Sequence, residues 1–134
     1  GQGSSFTISN LSAGSHTITA TATDSALATA SAALSITITA PPAAPSGITA
    51  TNNRNSTATI TWVDNSSNET SFQLYRQKQI SGIWTSAKYI SISKDTTKYT
   101  DSSGSGTFRY AVRARNTVGD SAWTSWAQVT VTRR

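Results

Sequence analysis

The feature that most constrains this fold is a two-residue alternation of apolar and polar side chains, repeated in short runs between turn-forming residues. One run carries Ala58, Ile60 and Trp62 at every second position, and a later run repeats the pattern from Phe108 to Ala114. Successive side chains of a strand point to opposite faces, so each run predicts a strand with one buried face. The chain has no Met and is rich in Thr, Ile, Val and Tyr, which favour strands over long helices. The sequence therefore predicts an all-β fold.

Residues 1–40 contain three of these runs, which predict a small antiparallel sheet. The runs are 6–9, 16–23 and 34–39, and turn-forming residues separate them. One face of the sheet is apolar and consists of Phe6, Leu11, Ile18, Leu34, Ile36 and Ile38. Three strands make about half of a sandwich, so this face needs a covering layer. We expect self-association through residues 1–40, either by strand exchange or by face-to-face packing of two copies.

A proline-rich segment, 41–45, marks the boundary between two domains. Proline fixes the backbone angle φ and removes a hydrogen-bond donor, so the segment predicts a short, stiff linker. Residues 46–134 then carry six or seven short alternating runs, a spacing typical of a β-sandwich. The apolar positions of these runs predict a core of Ile60, Trp62, Phe72, Leu74, Tyr99, Phe108, Tyr110 and Val112.

The segments 62–76, 98–101 and 108–123 resemble the second, third, fifth and sixth strands, with their loops, of a fibronectin type III repeat from secreted bacterial proteins. The resemblance implies that residues 46–134 form a fibronectin type III-like (Ig-like) antiparallel β-sandwich. Phe108 takes the place of the family's corner tyrosine, which implies a less rigid corner.

Residues 11–20 read Leu-Ser-Ala-Gly-Ser-His-Thr-Ile-Thr-Ala and are followed by an Asp-Ser turn at 24–25. This stretch resembles the C-terminal strands of a bacterial Ig-like or PKD-like domain. The resemblance implies that residues 1–40 are the end of such a domain, a partial Ig-like β-sheet that begins mid-domain. No charged and apolar leader precedes the first run, so we expect that residue 1 is not the natural start of translation.

Two motifs raise the question of catalysis, and both have a structural interpretation. Residues 119–121, Gly-Asp-Ser, resemble the nucleophile motif of chymotrypsin-like proteases, but the histidine that this chemistry needs is represented only by His16, in another segment. Asp64 and Glu69 share a loop and are a candidate carboxylate pair for glycoside hydrolysis, although turn capping and loop bracing are the favoured roles. The chain has no Cys and no Asp-x-Asp-x-Asp spacing. We therefore predict no enzyme activity, no cofactor and no metal site.

Positive charge is confined to the second domain, because every Lys and Arg lies at or beyond Arg54, and the net charge is +5. A basic domain can bind nucleic acid, teichoic acid or acidic glycans, or it can present a solvated basic face. The sequence contains no basic cluster, which favours the solvated face and predicts no nucleic-acid partner. No apolar run approaches the ~18 residues of a membrane span, so no membrane insertion is expected.

The aromatic residues are the strongest lead to a binding site. A candidate platform for stacking sugar rings consists of Tyr75, Trp84, Trp123 and Trp126. A candidate structural ladder, in which guanidinium groups stack on indoles, consists of Arg109, Arg113, Arg115, Trp123 and Trp126. Residues 123–126, Trp-Thr-Ser-Trp, distantly resemble the Trp-Ser-x-Trp-Ser element of cytokine receptor domains, in which Trp and Arg interleave. The ladder is therefore the favoured interpretation.

Together these features predict a non-catalytic module of a larger bacterial protein, extracellular or at the cell surface, with the adjacent domains of that protein as partners. The module is expected to act as a spacer or as a segment for adhesion and assembly. The alternative is a carbohydrate-binding accessory module of a secreted polysaccharide-degrading enzyme, with a polysaccharide as its partner.

Overall fold

A computed structural model describes residues 5–133, which contain ten β-strands and no helix. The strands are β1 (Gly14–Thr23), β2 (Thr29–Ile38), β3 (Ser46–Asn52), β4 (Ala58–Val63), β5 (Ser71–Ile80), β6 (Ile83–Trp84), β7 (Lys88–Ser93), β8 (Lys98–Asp101), β9 (Gly106–Arg115) and β10 (Ala127–Val131). All of their pairings are antiparallel. The predicted all-β fold is confirmed. The expectation about the start of the chain concerns residues that lie outside this description.

The chain divides into two compact units, Gly1–Ala40 and Pro41–Arg134. In the first unit β1 and β2 form a hairpin, with Gly14 opposite Ile38 and Thr23 opposite Thr29. The Asp24 carboxylate closes the turn, because its Oδ1 atom accepts hydrogen bonds from the backbone N–H groups of residues 26 and 28 at 2.8 and 2.9 Å.

The strand predicted at residues 6–9 does not form, so the first unit has a two-stranded sheet among its described residues. Phe6 and Ile8 are 88% and 41% exposed. The run is short and buries too little apolar area to offset the entropy lost on ordering it. The ten-residue strands β1 and β2 instead satisfy each other's backbone groups. On their apolar face Ile18, opposite Leu34, is half-buried, while Leu34 is 63% exposed.

The second unit contains two sheets. One has the order β3–β4–β8, and the other has the order β10–β9–β5, with β6 and β7 paired along the far edge of β5. Residues of β5 and β9 alternate between the core and the outer face, and the pairing runs from Ser71 opposite Arg115 to Lys78 opposite Phe108. This long register fixes which side chains of the two central strands share the outer face.

The core of the second unit lies between its two sheets. Seven predicted core residues are at most 4% exposed, and they are Ile60, Trp62, Phe72, Leu74, Phe108, Tyr110 and Val112. Tyr99 is partly buried and packs against them. The structure adds Ala58, Ile92, Ala114 and Val131 to this cluster.

The segment 41–45 belongs to the second unit. Pro42 and Pro45 are buried, and the Asn65 side-chain amide donates a hydrogen bond to the Ala44 carbonyl at 2.9 Å. A Cβ placed on Gly119 would lie 3.3 Å from the Pro41 ring, so the loop after β9 also approaches this segment closely.

Candidate functional site

The outer face of the β5–β9 sheet carries the candidate site. Arg109 lies opposite Gln77, and Arg113 lies opposite Gln73. Because Tyr110 and Val112 point into the core, these side chains are forced to the outside of the same sheet. The alternation in the sequence therefore brings two arginines and two glutamines into adjacent rows.

The guanidinium groups stack on indole rings. The Arg109 guanidinium carbon lies 4.5 Å from the ring centroid of Trp84 and 4.3 Å from that of Trp126. The Arg113 guanidinium carbon lies 4.5 Å from the ring centroid of Trp123. These distances are within the range in which the ring quadrupole attracts a cation. Four of the five ladder residues, Arg109, Arg113, Trp123 and Trp126, are thus in stacking contact, and Trp84 is an additional member.

Hydrogen bonds fix the planes of the stacked groups. Arg109 Nε donates to Gln77 Oε1 at 2.7 Å, and Arg113 Nε and Nη2 donate to Gln73 Oε1 at 3.0 and 2.8 Å. The glutamines were not among the predicted site residues. Gln73 and Gln77 lie two residues to either side of Tyr75 on β5, so all three side chains point to the same face of the strand. This alternation is the sequence feature that predicts the two glutamines as site residues.

Asp120 forms ion pairs with the ladder at its Arg113 and Arg115 end. Its carboxylate accepts from Arg113 Nη2 at 2.8 Å and from Arg115 Nε at 2.7 Å. Arg115 therefore enters the ladder through an ion pair, and within the described part of the chain it stacks on no indole. The Gly-Asp-Ser motif that contains Asp120 is thus part of this ion pair. Ser121 Oγ accepts a hydrogen bond from the Ala114 N–H at 2.9 Å, which holds the loop against β9.

A cluster of aromatic rings surrounds Tyr75. Its ring centroid lies 5.0 Å from that of Tyr89, 5.5 Å from that of Trp123 and 5.2 Å from that of Trp126, all in edge-on geometry. Tyr89, which is 55% exposed, was not predicted as a site residue, although it pairs directly with Tyr75 across β5 and β7. Edge-on contacts of this kind are favourable for aromatic quadrupoles.

A cleft of about 300 Å³ opens in the middle of this cluster. It is lined by Tyr75, Ala111, Trp123, Thr124 and Trp126. Trp123 and Trp126 are 36% and 46% exposed, so each indole keeps free surface although Arg113 or Arg109 stacks on it. The structure thus brings three residues of the predicted sugar platform to one cleft. Trp84 does not line it, although it also stacks on Arg109.

Comparison with known proteins identifies the fold. No family model and no curated protein matches the sequence. The solved structure of an Fn3-like protein from Clostridium thermocellum is 22% identical, with a TM-score of 0.52 over 71% of this chain and 98% of that chain. The FN5 domain of Drosophila Lar is 15% identical, with a TM-score of 0.56 over 69% of this chain and 99% of that chain. The third fibronectin III domain of the human KIAA0343 protein is 15% identical, with a TM-score of 0.59 over 70% of this chain and 86% of that chain. The fold is that of a fibronectin type III domain.

The corner of this fibronectin type III fold is held by a buried polar network. The Tyr110 hydroxyl donates to Asp101 Oδ2 at 2.7 Å, and Arg76 Nη1 forms an ion pair with Asp101 Oδ1 at 2.9 Å. Burial and the hydrogen bond to Asp101 raise the pKa of Tyr110 well above its ordinary value. The phenol that Phe108 lacks is therefore present two residues later, where it ties β9 to the end of β8. Sequence analysis placed Tyr110 in the apolar core and missed its polar partners.

Three carboxylates from two loops, β4–β5 and β7–β8, lie close together. Oxygen atoms of Asp64, Glu69 and Asp95 all lie within 4.8 Å of one another. Asp64 Oδ1 accepts from the Ser66 N–H at 3.0 Å, and Glu69 Oε2 accepts from the Ser66 hydroxyl at 2.6 Å. The hydrogen bonds support loop bracing as the role of Asp64 and Glu69.

The stability of the second unit is expected to depend on pH through Glu69. The hydrogen bond from the Ser66 side chain lowers the pKa of Glu69 below its ordinary value of 4.5, against an opposing effect of burial. A lowered pKa stabilises the folded state above the unfolded pKa, and this stabilisation is lost as the pH falls through the folded value. In Glu69→Gln we expect lower stability at pH 7 and a flatter decline toward pH 3. Urea unfolding at a series of pH values measures this, and parallel curves for the two proteins would contradict it.

The Arg–Trp ladder is expected to stabilise the domain. Arg109→Ala removes a guanidinium group from two indoles and should lower the free energy of unfolding by about 1–2 kcal/mol. Lys98→Ala, at an exposed position of β8, is the control and should change it by less than about 0.5 kcal/mol. Thermal and urea unfolding measure both. Equal stability of the two variants would show that the stacked geometry contributes nothing.

The described residues include no helix of the length and apolar character needed to cross a membrane.

Proposed function

We propose that this chain is a non-catalytic structural and interaction module of a larger bacterial protein, secreted or at the cell surface. One observation carries the proposal: the Arg109 guanidinium carbon lies 4.5 Å from the ring centroid of Trp84 and 4.3 Å from that of Trp126, so contacts within the domain occupy part of the outer sheet face. A domain whose surface side chains are held in this way would act as a rigid spacer between adjacent domains. The fibronectin type III fold supports this role, because domains of that fold are generally structural or interaction modules.

The residues of the two candidate catalytic motifs support the same proposal. Asp120 is engaged by two arginines, and Glu69 braces its loop. The chain should therefore release no product from polysaccharide or protein substrates above the rate in buffer. Turnover that disappears in Asp120→Asn or Glu69→Gln would contradict a non-catalytic role.

The hairpin of the first unit supports self-association as part of this role. A two-stranded hairpin is marginally stable alone in water, and the apolar face of β1 and β2 exposes 63% of Leu34. A second copy of the chain would cover this face. Light scattering is expected to show a dimer that Leu34→Lys converts to a monomer. Val63→Lys, at a 52% exposed apolar position of the second unit, is the matched control and should leave the dimer intact. A monomer at every concentration would exclude self-association.

A second candidate function is carbohydrate binding, as an accessory module of a polysaccharide-degrading enzyme. The observation that favours it is the cleft of about 300 Å³ between Trp123 and Trp126. Indole surfaces around a cleft suit the apolar face of a sugar ring. Retention on immobilised cellulose, chitin, peptidoglycan or polygalacturonate, lost in Trp126→Ala, tests it. A spacer would be retained on none of them.

A further inference from the structure

The cleft lies at the centre of a repeated Arg–Gln unit. The pairs Arg109–Gln77 and Arg113–Gln73 lie two residues to either side of Ala111. Two arginines four residues apart on a strand are separated by roughly 13 Å, so one guanidinium group flanks each side of the opening. The small side chain of Ala111 leaves room between them, and Trp123, Trp126 and Tyr75 surround that room.

Of the three arginines on this face, Arg109 is the one without a carboxylate partner among the described residues. Asp120 forms ion pairs with both Arg113 and Arg115, whereas Arg109 has no carboxylate partner among residues 5–133. Its Nε donates a hydrogen bond to Gln77, and its guanidinium carbon lies 4.5 Å and 4.3 Å from the ring centroids of Trp84 and Trp126. An incoming acceptor therefore meets the Nη edge. A guanidinium group binds an ionised carboxylate there through two parallel hydrogen bonds, more strongly than it binds a neutral oxygen.

The rest of the face has a composition that complements an acidic sugar chain. By the strand registers, the outward positions of β5, β7, β9 and β10 hold Gln, Ser, Thr, Ala, Tyr and Arg, and no carboxylate. Amide and hydroxyl groups are partners for sugar hydroxyls, and the cleft accepts the apolar face of one ring. The surplus positive charge beside the cleft selects a ligand that carries negative charge.

We propose that this face binds an acidic polysaccharide, with one sugar ring in the cleft between Trp123 and Trp126 and a uronic-acid carboxylate at the Nη edge of Arg109. The proposal rests on the second candidate function and specifies its ligand class. A nucleic-acid strand fits less well, because strand binding needs a continuous basic groove and successive free aromatic faces. Here the Asp120 carboxylate pairs with two of the three guanidinium groups and interrupts the basic row, and one side of each cleft indole is occupied by arginine.

The test is a titration of the full chain with soluble polygalacturonate and with alginate, followed by tryptophan fluorescence. Fully methyl-esterified polygalacturonate is the matched neutral ligand, because it keeps the rings and removes the charge. We expect at least one acidic polymer to bind, and the methyl ester to bind about tenfold more weakly than polygalacturonate. Arg109→Gln should weaken binding to the acidic polymer by about tenfold, whereas Lys98→Gln, which removes a positive charge from β8 in the other sheet, should stay within about twofold. Melting curves establish that both variants are folded.

The outcomes distinguish failure of the acidic ligand class from failure of carbohydrate binding at the cleft. If the ester binds as well as the acid and Arg109→Gln has no effect, carbohydrate binding stands and the acidic ligand class is wrong. If neither acidic polymer nor the ester binds, both the ligand class and this use of the cleft are overturned. If a single-stranded oligonucleotide of equal charge binds as tightly as polygalacturonate and competes with it, the face is a general polyanion site and the polysaccharide assignment is overturned.

Discussion

Asp101→Asn is expected to lower the free energy of unfolding by about 3–5 kcal/mol, because it leaves Arg76 as a poorly solvated charge without a partner. Asp101 is 3% exposed and Arg76 15% exposed, and their charged atoms lie 2.9 Å apart. The same carboxylate accepts the buried Tyr110 hydroxyl at 2.7 Å, so one substitution disturbs two contacts. Urea unfolding should show a lower midpoint with an unchanged dependence on denaturant, since the area buried on folding is the same.

Two further variants separate the parts of this network. Tyr110→Phe removes the neutral donor alone and should cost about 1 kcal/mol. Asp95→Asn is the matched control, because Asp95 is 73% exposed and its ion pair with Lys94 spans 3.7 Å. Its effect should be below about 0.5 kcal/mol. A loss in Asp101→Asn no larger than that in the control would mean that the buried ion pair contributes nothing to stability.

Phe72→Ala is expected to destabilise the domain by about 3–5 kcal/mol. Phe72 is fully buried, and its ring centroid lies 5.8 Å from that of Trp62, so the truncation opens a cavity between the two sheets. The neighbouring residues of β5 form the outer face, so a shift of this strand should also disturb the cleft. Melting temperature and tryptophan fluorescence report both effects.

Phe6→Ala is the matched control for the Phe72 experiment. The same atoms are removed from a side chain that is 88% exposed, so the change should be below about 0.5 kcal/mol. Phe72→Leu keeps most of the buried volume and should cost less than the alanine substitution. If the two Phe→Ala variants melt at the same temperature, Phe72 does not anchor the core.

The limits of prediction from sequence are clearest in three places. A two-residue alternation predicted the residues that lie in the core and those that lie on the outer face of β9, because a strand allows only two orientations. The same pattern wrongly predicted a strand at residues 6–9, because alternation does not show whether a strand finds a partner. The cleft at Ala111 was not predicted, since it depends on how two strands and a loop come together.

The sequence by itself determined the all-β class and the two sides of each long strand, because both follow from local geometry along the backbone. It also placed arginine and tryptophan where stacking was possible. Only the tertiary structure decided which partners met: Gln77 and Gln73 beside the arginines, and Asp101 between Arg76 and Tyr110. Asp101 and Arg76 are 25 residues apart in the chain, and their contact depends on the packing of one sheet against the other. Alternation fixes the side to which a residue points, whereas the residue that it meets is set by register and sheet packing.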